Sequence, residues 1–379
     1  MNKYKLFLEN CNVIERYYNY LISLTNNHNF VGSTNEWIID NYYMVAEIKV
    51  NLKKNLKENK RLKEVINRSE NQVYDLLNKA CCSKNFNISY EDVLNEIKEY
   101  QNVEENYLTY NELESIPVAL SFIIIDRLAT LCKTKKESQT EKQKIRELVK
   151  SLGDKIHNGE VINLSDYITF DKEIGEHPEI IEQLNDSLTE LGTSSNELFI
   201  QLDKMLEEYD LNLKDLINKE HIDSIKNNIL IANLFNTLRT ILKIDVIDIF
   251  DKLSKTEKVL KQDSYYKSMT SETKGLYRNL ITKNSKHTTE YKYACSLLEK
   301  SSINDTHIGF YLMKRCNYSL RSKLYIISII IFTLLISGLL SLITLDYWWL
   351  SFILLLVPIS EVVIQLLNKI LLKVYPCQP

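Results

Sequence analysis

The sequence predicts an all-α protein: a multi-helix cytoplasmic region followed by a C-terminal two-helix transmembrane hairpin. Three observations carry this. Glycine and proline number only 8 and 5 in 379 residues, where average usage gives roughly 45 together. These residues punctuate turns and phosphate loops, so their scarcity excludes collagen-like and propeller classes and argues against a turn-rich β-fold. Apolar residues recur at helical spacing over most of residues 1–320. Two long apolar runs then follow, with one acidic residue between them. The expected regions are 1–135, an N-terminal helical domain; 136–320, a second helical region; and 321–379, the hairpin, with spans of about 324–345 and 347–368.

The helices follow in order. Ser33 and Glu36 have capping-box spacing and open a helix through Trp37, Val45, Ile48, Leu52 and Leu56, with Trp37 expected on its core face. The charges between Lys49 and Glu64 read as its solvated side. Ser89 and Asp92 start a short helix through Val93, Leu94, Ile97 and Tyr100. Thr109 and Glu112 form another capping box before a helix through Leu131, in which Pro117 is expected to produce a kink. Val118–Ile125 is too short to span a bilayer and reads as a buried core segment. Thr134–Gln143 reads as an exposed connector, which sets the boundary near 135. Pro178 opens and Gly192 closes the next helix, and Ser194 with Glu197 caps another. A long pattern then runs from Leu213 to Leu242, with Leu216, Ile225, Ile229, Leu234, Leu238 and Ile241.

Leu324–Leu345 is uncharged and spans 22 residues, enough to cross a hydrocarbon core. Its 15 Leu, Ile and Phe residues contribute about −7 kcal/mol to insertion. Asp346 interrupts, and Tyr347, Trp348 and Trp349 are placed as an interfacial aromatic belt. The second run, Tyr347–Asn368, carries Pro358 and Glu361; its 13 Leu, Ile, Val and Phe residues outweigh the cost of one carboxyl, about 3 kcal/mol. Lys314, Arg315, Arg321 and Lys323 precede the first run, and Lys369 and Lys373 follow the second, so both termini are expected on the cytoplasmic side of the plasma membrane. Glu361 has two readings: a functional group at membrane depth, or a carboxyl near a protein neighbour or the interface.

Charge and chemistry narrow the function. The chain carries 47 basic and 50 acidic residues, a net charge of −3, and has no basic field for nucleic acid. Seven Cys, none in a C-x-x-C pair, point to a reduced environment. There is no G-x-G-x-x-G, no H-E-x-x-H, no G-x-S-x-G and no pair of Asp one residue apart. Asp245, Asp248 and Asp251 share a helix face and read as a solvated acidic strip rather than a metal site. Tyr pairs such as Tyr17–Tyr18, Tyr42–Tyr43 and Tyr265–Tyr266 suit sugar stacking or core packing, and packing is the simpler account. By itself the sequence offers no catalytic residue, metal ligand set or cofactor site.

Specific strings carry a resemblance. Glu36-Trp37-Ile38-Ile39-Asp40-Asn41 resembles the E-W-L-x-D-N motif of cyclic β-1,2-glucan synthases. Tyr100-Gln101, Leu108-Thr109-Tyr110-Asn111-Glu112-Leu113 and Ile116-Pro117 resemble that family's Y-Q … L-T-x-x-E-L-W-A-I-P stretch, with Glu114 in place of Trp. Leu238-Arg239, Asp245, Phe250, Glu257, Leu260, Asp263, Tyr266, Met269, Thr273 and Tyr277-Arg278 follow a third pattern in order. There, Thr237, Val246 and Ser264 replace a Ser, a Trp and a Pro. His307-Ile308-Gly309-Phe310-Tyr311-Leu312 resembles H-V-G-Y-Y-L, and Pro358, Ser360-Glu361 and Asn368 echo P-x-S-E … N.

The resemblance implies an N-terminal membrane-anchoring and scaffolding region of a glucan synthase that uses UDP-glucose. The transferase and phosphorylase domains of that family would follow Pro379, so catalysis is not expected of this chain alone. Its implied partners are the lipid bilayer and a transferase module on the same chain or a separate one. The alternative is a membrane-tethered cytoplasmic adaptor unrelated to glucan. Trp37, Glu112, Pro117, Arg239, Arg278, His307 and Glu361 are the candidate functional or structural residues.

Overall fold

The computed structural model describes residues 3–26, 33–68, 71–103, 106–170, 174–285, 287–303, 306–314, 318–342 and 348–374. Its described residues form helices and no strand. The chain divides into two compact units, Met1–Lys258 and Val259–Pro379.

In the first unit, α1 (Lys3–Asn26) buries Phe7, Cys11, Ile14, Tyr17 and Leu21, whose spacing of three or four keeps them on one face. Beside it, α2 (Ser33–Glu58) buries Ile38, Val45, Ile48, Leu52 and Leu56. Tyr18 and Tyr42 stack between these two helices at 4.2 Å, and the buried Tyr17 hydroxyl donates to Asn35, so these tyrosines pack the core. Four shorter helices follow: α3 (Lys60–Ile66), α4 (Gln72–Ser83), α5 (Tyr90–Asn102) and α6 (Tyr110–Glu114). The expected capping boxes of α5, Ser89 with Asp92, and of α6, Thr109 with Glu112, are both present. The expected cap at Ser33 lies outside the described side chains.

The unit is built on two long helices, α7 (Ile116–His157) and α10 (Leu213–Leu242). The first turns of α7 are buried nearly all round, from Ile116 to Ile125, as befits a core segment. A second core gathers Val149 and Leu152 of α7, Ile181, Leu184 and Leu188 of α8 (Pro178–Glu190), and Leu198, Leu202 and Leu206 of α9 (Asn196–Glu207). Gly192 follows α8 with φ +67°, the left-handed conformation that closes a helix at little cost to glycine. The expected Ser194 cap lies outside the described side chains. After α10 come α11 (Val246–Leu253) and α12 (Lys255–Leu260).

Four expectations are corrected here. Pro117 does not kink a helix interior: the chain breaks at Ser115, and Pro117 falls in the first turn of α7, where an amide donor is not needed. Thr134–Gln143 is not a connector, because α7 runs through it without interruption. Its Lys, Glu and Gln residues are strong helix formers, and Lys142 reaches Glu182 of α8 at 3.2 Å and Glu220 of α10 at 3.9 Å. The boundary near 135 therefore lies inside a helix. Finally, Ile225 and Ile229 of α10 are exposed rather than core; the helix buries Leu216 near one end and Leu230–Ile241 at the other.

The second unit holds α13 (Ser264–Ser268), α14 (Ser271–Asn284), α15 (Glu290–Ile303), α16 (Ile308–Lys314), α17 (Tyr318–Ser341) and α18 (Trp348–Val374). α17 and α18 pack antiparallel: Tyr325 donates to Asn368 at 2.7 Å, and Gly338 meets Phe352 nearer the other end. Thr333, Ser337 and Ser341 line the buried side of α17, with Ile359 and Val363 on α18. The Ser337 hydroxyl bonds back to the Thr333 carbonyl, so this small residue asks nothing of α18 and lets the helices approach closely.

Leu324–Ser341 and Trp348–Lys369 are long and apolar enough to cross a membrane, with mean hydropathies of 2.4 and 2.3. Only 17% and 11% of these windows are buried, which separates them from core helices of a soluble fold. Asp346, Tyr347 and the side chains of Lys314, Arg315, Arg321, Lys323 and Lys373 lie outside the described ones. Trp348 and Trp349 are exposed at the start of α18.

Candidate functional site

In the second unit, separate strings of the resemblance meet around Asp263. Its Oδ1 accepts the amides of Tyr265 at 2.9 Å and Tyr266 at 3.1 Å, capping α13. Its Oδ2 lies 3.0 Å from His307 Nδ1 and accepts the Ile308 amide at 3.0 Å, at the start of α16. Burial works against the charged form, but the amides of Ile308 and Tyr266 and the His307 ring outweigh it, so the Asp263 carboxyl titrates below its ordinary value. His307 Nε2 is 2.7 Å from the Tyr277 hydroxyl. Burial, with a smaller contribution from Asp263, raises the Tyr277 pKa and keeps that hydroxyl protonated. With a neutral imidazole, Nδ1–H donates to the carboxylate and Tyr277 donates to Nε2.

This Asp–His–Tyr chain has the order of a proton relay. Its hydrogen-bonding groups are nevertheless engaged with one another, and it ties α13, α14 and α16 together. Gly309 completes the clasp, since a Cβ there would overlap the Tyr277 hydroxyl and the His307 ring. Tyr266 is buried against Tyr277 at 5.6 Å, while Tyr265 is exposed. Arg278, on the same helix as Tyr277, is buried, as is Glu290, which accepts from Thr282 at 2.7 Å.

The first unit has a second convergence. The Tyr110 hydroxyl donates to the fully buried Glu257 at 3.0 Å, and its ring meets Phe250 edge-on at 5.4 Å. Gln101 is buried, donates to the Leu253 carbonyl and accepts the Leu108 amide. Glu112 serves the cap of Thr109 through both the backbone amide and the hydroxyl.

Other sequence candidates stand apart. Trp37 is 40% exposed, which corrects its expected core position; Ile38 and Asn35 occupy the inner face instead. Arg239 is exposed, and Glu361 is exposed on α18. Asp245 caps α11, and Asp248 bonds Tyr90 and Lys252, so this acidic strip is used structurally. Cys81 is buried, and desolvation pushes its thiol up to about 12, while Cys82 is exposed.

Sequence reasoning missed one cleft in the first unit. Two adjoining cavities of about 230 and 280 Å³ share Asn55, Pro117, Val118 and Val246. Glu114 lines the smaller one and accepts from Asn59 at 2.9 Å. Burial raises the Glu114 pKa above its ordinary value against that hydrogen bond. Asn51, Asn55 and Asn59, spaced four apart, line one or both cavities and were the available signal. Glu114 and Val246 are the two positions where the resembled pattern carries Trp and this chain does not, so both departures face one cleft. No protein-family model matches the chain, and no curated protein matches it.

Proposed function

We propose that the chain is a membrane-anchored helical scaffold serving a β-1,2-glucan-synthesising transferase, supplied on the same chain or by a partner. The hairpin holds it in the plasma membrane, with both termini cytoplasmic, and the helical units dock or position the transferase. One observation carries the reading. Segments that carry the resemblance, far apart in sequence, meet in the fold: the segment of Gln101 and Tyr110 bonds that of Leu253 and Glu257, and Asp263 and Tyr277 bond His307.

In this reading the chain does not itself move glucose. Transfer from UDP-glucose requires stabilisation of the departing diphosphate and a positioned base for the acceptor hydroxyl. The sequence holds neither a close Asp pair nor a glycine-rich phosphate loop. The test is incorporation of labelled glucose from UDP-glucose by the full chain in lipid, with and without a transferase module. Incorporation only with the module is expected. Robust incorporation by the chain alone overturns the reading, and failure to bind or support any such module favours an adaptor unrelated to glucan.

A further inference from the structure

Glu361 is the single charged residue between Trp348 and Asn368. It precedes Lys369 by eight residues, which places it roughly 12 Å deeper along the helix, near the middle of a core about 30 Å thick. A carboxyl on two methylenes does not reach water from there. Ile359 and Val363 mark the side of α18 that faces α17. Glu361 lies two residues from each, about 200° around the helix, and so faces away from α17. Gln365, one turn on, shares that face; both side chains are exposed, and neither hydrogen-bonds to another described residue. Leu354 and Val357, also exposed, continue the same face.

In lipid, two hydrogen-bonding side chains left on an outer face require partners from another helix. A cationic helix would satisfy Glu361 and leave the Gln365 N–H donors without an acceptor. A second copy of this chain satisfies both, because a two-fold axis along the membrane normal brings Glu361 of each copy within one helical turn, about 6 Å along the axis, of Gln365 of the other, a reach that two long side chains span. The carboxyl accepts and the amide donates, so the pair is self-complementary. We infer that this face of α18 is a homodimer interface in the membrane, with each Glu361 carboxyl accepting a hydrogen bond from Gln365 of the second copy. The inference rests on the reading that the hairpin spans a membrane.

The test uses full chains labelled with donor or acceptor fluorophores in phosphatidylcholine vesicles. Energy transfer is followed as lipid dilutes the protein, and the same vesicles are extracted with alkaline carbonate. The chain should stay with the vesicles and associate. Glu361→Leu with Gln365→Leu, which makes the span more apolar and favours insertion, should weaken association roughly thirtyfold through loss of two hydrogen bonds. Glu361→Gln should retain it, because the amide carbonyl still accepts. Leu339→Ala, on the exposed side of α17, should leave it unchanged. An integral but monomeric chain, or association indifferent to the double substitution, overturns the dimer and leaves the membrane reading standing. Loss on Glu361→Gln alone identifies a cationic partner and also overturns it. Release by carbonate overturns the membrane reading and the dimer with it.

Discussion

Thr237 stands where the resembled pattern has Ser, and its contacts are ones that either side chain can make. The buried hydroxyl donates to the Phe86 carbonyl at 2.6 Å and accepts the Ile88 amide at 3.0 Å, which either residue can do. Trp37 teaches the opposite lesson. Its place in a motif and in an apolar pattern suggested a core role, yet its ring is 40% exposed. Trp37→Ala is therefore expected to cost about 1 kcal/mol or less in denaturant unfolding, where a core tryptophan would cost roughly 3–5. Asp263 is the residue whose charge matters to the fold. Its folded pKa lies below the ordinary 3.8, so its contribution is fully present above that value and lost as pH falls through the lowered one. Asp263→Asn should reduce the protection of the Ile308 amide in hydrogen exchange by about 1.5–3 kcal/mol near neutral pH. The difference from the unsubstituted chain should shrink below about pH 4. Equal differences at pH 7 and pH 3 would show that the carboxylate charge does not hold α16. Sequence alone singled out His307 but not its geometry, since His307 and Asp263 are 44 residues apart and meet only through the packing of short helices.

At the scale of elements, the local signals were sound wherever one residue sets one backbone contact. The capping boxes at Ser89 and Thr109 and the Pro178–Gly192 asymmetry each involve neighbours within a turn or the ends of one helix. Charge density was the misleading signal. Thr134–Gln143 resembled a connector because it is so polar, but solvation of charged side chains does not break a helix, and no Gly or Pro occurs between Val118 and Leu152. Two spaced pairs support it locally, Lys144 with Glu141 and Gln143 with Glu147. Gln139→Pro decides the matter by experiment. In a continuous helix it should cost about 3 kcal/mol or more and lower the helical circular dichroism signal. In a flexible connector it would cost almost nothing. Ile225 and Ile229 escaped correct reading for a related reason. Helical periodicity gives a face, but only the tertiary arrangement decides whether something covers it.

At the scale of the whole molecule, composition carries the argument that no single contact does. The hairpin is long and apolar enough to cross a membrane, and its outer leucines and isoleucines are exposed. In the proposed topology the basic residues that flank both spans set the orientation, since Lys and Arg are retained on the cytoplasmic side. The same topology puts the Trp pair at the start of α18 at the opposite interface, where an indole can bury its ring and keep its N–H wet. This arrangement predicts a labelling pattern in intact cells treated with a membrane-impermeant thiol reagent. The unsubstituted chain should remain unlabelled, because the proposed topology puts all seven cysteines on the cytoplasmic side. Trp348→Cys, at an exposed position of the described hairpin, should be labelled from outside. Opening the cells should then add labelling of the exposed Cys82 while leaving the buried Cys11, Cys81 and Cys132 slow to react. Labelling of the unsubstituted chain before the cells are opened, with Trp348→Cys protected, would reverse the orientation and place the acidic helical region outside.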